Sequence, residues 1–271
     1  MRISFLCVLA LSATAAWAQS GLTYSTYLRE GFTPAAVATD PSGNLYLAGS
    51  IVGSGSPQTE AMVIKLNPAA TQTLYVRTLG GSGSDSASAI AIDSAGDAYV
   101  VGTASSPDFP VTPGLETGTL PVSGTRAFLA KFDPQGELVF SDVLGTASIT
   151  GTAVALAADG GILVSGLAAG PGLAATPGAY SVPDSNGRPY LMKVAATGAN
   201  IVFTATGIGG NALALDPAGN IYMAGAAHYY YPTTPGAYQT FPDPASCPEC
   251  FFADGANQYV TKVDPAATTL L

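Results

Sequence analysis

One short motif returns four times along this chain of 271 residues. It appears as "DPSGNLYLAGS" from Asp40, "DSAGDAYVVGT" from Asp93, "AADGGILVSGL" from Ala157 and "DPAGNIYMAGA" from Asp216. The glycine near the end of each copy is Gly49, Gly102, Gly166 and Gly225. A second motif follows each time: "MVIKLNP" at Met62, "FLAKFDP" at Phe128, "LMKVAAT" at Leu191 and "YVTKVDP" at Tyr259. A third comes next, as "TLYVRTLGG" at Thr73, "LVFSDVLGT" at Leu138 and "IVFTATGIGG" at Ile201. "LTYSTYLRE", from Leu22, is a further copy of this third motif without the other two before it. A recurring unit of this size confines the chain to architectures in which one supersecondary element packs on the next.

Each unit reads as four short strands. The first is the run before the turn ("AAVATD", "SAIAID", "TAVALAA", "NALALD"), and the opening motif supplies the turn and the second strand. The lysine motif is the third strand and the "LVFSDVLG" type is the fourth. Asp40, Asp93 and Asp216 stand where a hairpin needs a side-chain acceptor for its own backbone N–H groups, with glycine close behind for positive φ. These aspartates read as turn formers. A ring of carboxylates for a cation or for acid–base work is the other reading of the same positions. Lys65, Lys131, Lys193 and Lys262 recur in the third strand, with stems expected to pack on neighbours while the ammonium groups reach water.

The strands are apolar at nearly every position, as in "AIAID" and "MVIKL". Continuous apolar runs imply cover on both faces of the sheet. A four-stranded antiparallel sheet covered on both faces and repeated radially is a β-propeller blade. The expected fold is therefore all-β, a propeller with about four blades in this chain. A linear β-solenoid is the competing repeat fold, but its coils are usually shorter than these units.

The stretches "DPSGNLYLAGS", "FPVTPG", "AFLAKFDPQGELVFSDVLG" and "YSTYL" resemble the bacterial SBBP repeat, whose name refers to seven-bladed β-propellers. The resemblance implies a secreted or surface-associated bacterial propeller. It brings no common catalytic residues with it. On this reading 19–271 is one propeller domain, with units at approximately 35–80, 88–145, 151–210 and 211–271. Two arrangements fit its ends: strand 22–28 completes the last unit and closes a four-bladed ring, or the chain is an open arc with further blades in a longer parent. The arc is the expectation, because "VDPAATTLL" stops inside a motif that the first unit continues.

Arg2, the apolar run "ISFLCVLALSATAAW" and Ala16-Trp17-Ala18 form a secretory signal pattern over 1–18, with cleavage before Gln19. The expected address is secreted, periplasmic or cell-surface. The formal net charge of −9 and the lack of any Lys/Arg cluster exclude a nucleic-acid-binding surface. No later run approaches the length of a membrane span, so no membrane insertion is expected.

The longest insertion, in the last unit, holds the remaining candidates. His228, Tyr229 and Tyr230 exceed the repeat pattern and are the candidate ligand-binding residues, because loop aromatics stack on sugar rings and peptides. Cys247 and Cys250 form "CPEC". In an exported chain this reads as a disulfide that pins a loop, with free thiols or a metal site as the other readings. "GGSGSDS" from Gly80 reads as a flexible connection between units, since no helix with a lysine follows it to hold phosphate. With one histidine and no Gly-x-Ser-x-Gly elbow, no catalytic set, metal site or cofactor is expected. The functional expectation is an exported non-enzymatic binding or scaffold module for cell-surface polysaccharide or protein. The alternative is a secreted propeller-type polysaccharide lyase or glycoside hydrolase.

Overall fold

The computed structural model describes residues 24–52, 57–113, 124–145, 148–169, 173–182, 188–227, 231–238 and 257–271. The signal pattern lies outside them. The described residues form no helix, so none is long and apolar enough to cross a membrane. Among the described residues fifteen strands make four antiparallel sheets.

The first sheet runs β1 (Phe32–Thr39), β2 (Leu45–Val52), β3 (Thr59–Leu66), β4 (Thr73–Leu79). The second is β5 (Asp85–Ile92), β6 (Ala98–Ala104), β7 (Arg126–Phe132), β8 (Leu138–Leu144). The third is β9 (Ser148–Leu156), β10 (Ile162–Ala169), β11 (Arg188–Val194), β12 (Ile201–Thr206). The fourth has three strands, β13 (Ala212–Leu215), β14 (Ile221–Ala227) and β15 (Asn257–Val263). Each sheet is a meander of neighbours in chain order. The last strand of one leads directly to the first strand of the next. Those first strands, β1, β5, β9 and β13, neighbour one another in succession. The sheets are thus arranged like propeller blades, and the described residues show no closure of the ring.

Packing explains the unbroken apolar runs. Tyr46, Ala48 and Val63 on one face of the first sheet share a core with Val100, Phe128 and Ala130 of the second. The opposite face of the second sheet, with Tyr99, Val101 and Leu129, packs on Ile162, Val164 and Met192 of the third. Leu163, Leu191 and Phe203 on the far face of the third then meet Ile221, Met223 and Val263 of the fourth. A central strand such as β6 is buried at every residue except Thr103. Both of its faces are cores, which removes the polar alternation of a half-wet strand.

The recurring glycine of the second strand answers a backbone irregularity. The first strands carry a register shift between Pro34 and Ala36 in β1 and between Ala87 and Ala89 in β5. The third sheet shifts at Ser165/Gly166. Gly49, Gly102 and Gly166 lie opposite these bulges. A Cβ on each would run into the carbonyl oxygen of Thr33, Ser86 or Thr150 respectively. The bulge bends the inner strand, and only a residue without a side chain fits beside it.

Candidate functional site

The two ends of the sheets differ. At the end of the β1–β2 hairpin, Asp40 Oδ1 accepts the N–H groups of Ser42 at 3.0 Å and Asn44 at 2.9 Å. Asp93 Oδ1 accepts those of Ala95 and Asp97, both at 2.9 Å, and Asp216 Oδ1 those of Ala218 at 3.0 Å and Asn220 at 2.9 Å. Burial, the largest influence on Asp40, raises its pKa. Hydrogen bonds from Asn44 and the Lys65 charge outweigh it and hold the carboxyl below its usual range. The Asn220 side chain and the backbone hold Asp216 low in the same direction.

The recurring lysines do not simply reach for water. Lys65 is buried, 3.7 Å from Asp40, and donates across the sheet boundary to the Pro134 carbonyl at 3.0 Å. Tyr46 Oη, beneath it, donates to the Gly96 carbonyl at 2.9 Å. Arg77 adds a bond to the Gly136 carbonyl at 2.7 Å. Lys131 pairs with Asp97 at 2.7 Å and Lys193 with Asp159 at 2.6 Å. At this end the first sheet is stapled to the second, the second and third sheets are each braced by a lysine–aspartate pair of their own, and Asp40, Asp93 and Asp216 are occupied in holding turns.

The opposite end carries the sheet-to-sheet connections and the long loops. There Asp85 is fully buried at the first residue of β5. Its Oδ1 accepts the N–H groups of Ser105 at 2.9 Å and Ser106 at 3.1 Å. Its Oδ2 accepts the Gly81 N–H at 3.0 Å and the Ser106 hydroxyl at 2.5 Å. Exposed Asp108 takes the backbone N–H and hydroxyl of Ser82 at 2.7 and 2.8 Å, and those two bonds lower its pKa. "GGSGSDS" is therefore a pinned loop within this node and not a free connection. Gly80 leaves room for the side chain of Glu60. A Cβ there would stand 2.9 Å from Asp85 Oδ2 and 3.1 Å from Cγ of half-buried Glu60. The Glu60 methylenes and the Asp85 carboxylate thus lie against the same face of this one glycine.

Sequence reasoning missed this node; its one signal was an acidic residue opening an apolar strand. His228, Tyr229 and Tyr230 lie outside the described residues, as do Cys247 and Cys250. The expected Cys247–Cys250 disulfide therefore falls outside them too. Among the described residues no group of three or more His, Cys, Asp or Glu is placed to hold a metal ion.

The pattern of the beta-propeller repeat known as SBBP matches residues 74–110, the stretch that contains Asp85 and Asp108. No curated protein matches the chain. Among solved structures, a tryptophan-to-alanine variant of the Synechocystis apocarotenoid oxygenase superposes with a TM-score of 0.44 and 12% identity, covering 90% of this chain and 50% of that one. The cobalt-substituted form of the same oxygenase gives 0.43 and 14%, with the same coverage. A GH43_12 protein from a capybara gut metagenome gives 0.40 and 10%, covering 86% of this chain and 48% of that one. The chain spans about half the length of these proteins. The oxygenase is by its name an enzyme, and the expectation of a non-enzymatic binding or scaffold module is withdrawn. A likeness this distant carries no particular activity over to this chain.

Proposed function

We propose that this chain contributes blades to an exported propeller enzyme that cleaves polysaccharide, as a glycoside hydrolase or a lyase, with its working end at the Glu60–Asp85–Asp108 loops. The observation that supports this reading is that one glycine, Gly80, has both the Asp85 carboxylate and the Glu60 side chain against it. Asp85 has every near oxygen site filled by loop donors. Its part is to position the loop. Glu60 has no such cage among the described residues, and the proposal gives it the proton transfer with the substrate. Both cleavage chemistries need such a group, either to protonate a leaving oxygen or to take a proton from the sugar.

The rest of the reading follows from the repeat. The units are taken as SBBP repeats because residues 74–110 match that pattern and the other units share its turn, lysine and fourth-strand motifs. Export rests on the signal pattern before Gln19. N-terminal sequencing of the protein recovered from outside the cytoplasm is expected to begin at Gln19; a start at Met1 would remove export.

The test of activity is a panel of neutral and uronate polysaccharides, followed by reducing-end release and by ultraviolet absorbance of unsaturated products. Glu60→Gln is expected to lower turnover by about 10²–10⁴-fold, the usual worth of a proton-transferring group. No turnover on any substrate, or turnover unchanged in Glu60→Gln, contradicts the assignment.

A further inference from the structure

The outer strands of the second and third sheets do not end in a bare edge. Thr112, in the connection between β6 and β7, lies against β8. Its N–H donates to the Ser141 carbonyl at 2.7 Å, and its hydroxyl accepts the Ser141 N–H at 3.0 Å. Thr176, in the connection between β10 and β11, does the same to β12, with the Thr204 carbonyl and N–H both at 2.9 Å. Both threonines stand in Thr-Pro-Gly. Beyond Thr176 the segment keeps to the edge. The Thr206 N–H donates to the Tyr180 carbonyl at 3.1 Å, and the Val182 N–H to the Thr206 carbonyl at 3.2 Å. Twice, then, the chain adds an extended piece of itself to a sheet edge, through a backbone donor and a threonine hydroxyl.

The first sheet has all four strands but no such piece. Val76 is the counterpart of Ser141 and Thr204: each follows the residue opposite the third-strand lysine, which is Tyr75, Phe140 or Phe203. Its N–H and C=O therefore point off the edge of β4. Among the described residues the carbonyl takes only Arg77 Nη1, at 3.1 Å, which leaves a second lone pair, and the N–H faces no acceptor beyond the edge. Leu74 and Thr78, on either side, are exposed. In the other two sheets the covering piece comes from the connection between the second and third strands of the same unit. Here that connection is only 53–58, and it contains no threonine. It can span at most about 25 Å. A path from β2 around the outside of β4 to Val76 and back to β3 needs roughly 30 Å.

We propose that the outer edge of β4 docks an extended Thr-Pro segment of a partner protein. The segment's threonine N–H donates to the Val76 carbonyl, and its hydroxyl accepts the Val76 N–H. The chemistry of the occupant is read from the equivalent edges, where this chain twice sets Thr-Pro-Gly against the same pair of groups. The threonine side chain reaches the strand's N–H, the proline after it holds the threonine extended, and the proline has no N–H with which to offer a new edge. The contact is independent of the Glu60–Asp85–Asp108 loops and of any cleavage carried out there.

Fluorescence anisotropy of a labelled peptide, AATPGAYSV, with the sequence of residues 174–182, tests this against the full chain. Saturable binding is expected, with a dissociation constant below about 1 mM. A peptide with valine in place of the threonine is expected to bind at least about five-fold more weakly, the worth of one hydrogen bond, and one with serine to bind as the parent does. Val76→Pro removes the outward donor and leaves the β3–β4 ladder intact, so it is expected to weaken binding at least about ten-fold. In the unsubstituted chain the peptide is expected to slow hydrogen exchange at the Val76 amide at least about ten-fold, a readout that does not need the variant to fold. No saturable binding up to about 5 mM peptide overturns the proposal. So does binding that a folded Val76→Pro chain retains in full, a valine peptide as tight as the threonine one, or a Val76 amide that the peptide does not protect. A two-chain species that Val76→Pro dissociates puts a second copy of this chain on the edge and overturns the partner protein as its occupant.

Discussion

Removal of the Asp85 carboxylate is the perturbation whose consequence follows most directly from geometry. Asp85→Ala deletes one acceptor group and strands the N–H groups of Gly81, Ser105 and Ser106 and the Ser106 hydroxyl. A buried donor left without a partner costs about 1–3 kcal/mol. Ser106 is buried, but Gly81 and Ser105 are half-buried and recover part of their hydration, so the sum is about 3–6 kcal/mol. Asp85→Asn is milder. Its oxygen still serves Ser105 and Ser106, and the Ser106 hydroxyl can rotate to accept. The Gly81 N–H then faces an amide NH₂ and loses its partner, at about 1–3 kcal/mol. Urea unfolding, followed by fluorescence and circular dichroism together, measures both. The order expected is wild type above Asn above Ala, with about 2–4 °C of melting temperature for each kcal/mol in a domain this size. Asp85→Ala within 1 kcal/mol of wild type, or Asp85→Asn as damaging as Asp85→Ala, refutes the node.

Two further outcomes follow from the same reasoning. Gly102→Ala is expected to destabilise by at least about 3 kcal/mol, above ordinary overpacking, because its Cβ meets the Ser86 carbonyl and Ala87 Cα, backbone atoms that cannot swing aside, as well as the buried Phe128 ring; an equilibrium unfolding curve superimposable on wild type would contradict the bulge account. Asp40, Asp159 and Asp216 have folded pKa values below their ordinary range: hydrogen bonds and Lys65 outweigh burial at Asp40, Lys193 acts first at Asp159, and Asn220 acts first at Asp216. A depressed folded pKa contributes stability above the unfolded value, lost as pH falls through the folded one. The melting temperature is therefore expected to hold from neutrality to about pH 5 and to fall through pH 4 and below, and a flat profile into strong acid would rule the turns out as its source.

The repeat made the architecture legible, since four copies of a hairpin and four apolar third strands allow few ways to bury both faces. The turn aspartates are local: a carboxylate bonding to residues two and four ahead can be read from spacing. What spacing does not reveal is anything that crosses between sheets. Lys65 reads as a surface lysine until the second sheet brings the Pro134 carbonyl to it, at a separation of 69 residues. The repeated glycine is visible as a repeat position, but its reason is not until the bulge opposite it is seen. Asp85 hides in a glycine-rich stretch whose composition suggests looseness, because its partners at Ser105 and Ser106 lie in another loop.

The central claim is that successive sheets bury each other's faces while fanning about a common line. A crystal structure of the full chain measures this most directly. The account predicts β1, β5, β9 and β13 side by side around one axis, with Val63 and Leu129 each sealed beneath the following sheet. Sheets stacked in a straight column, or helices in the "AIAID" and "AFLAKF" stretches, would contradict it.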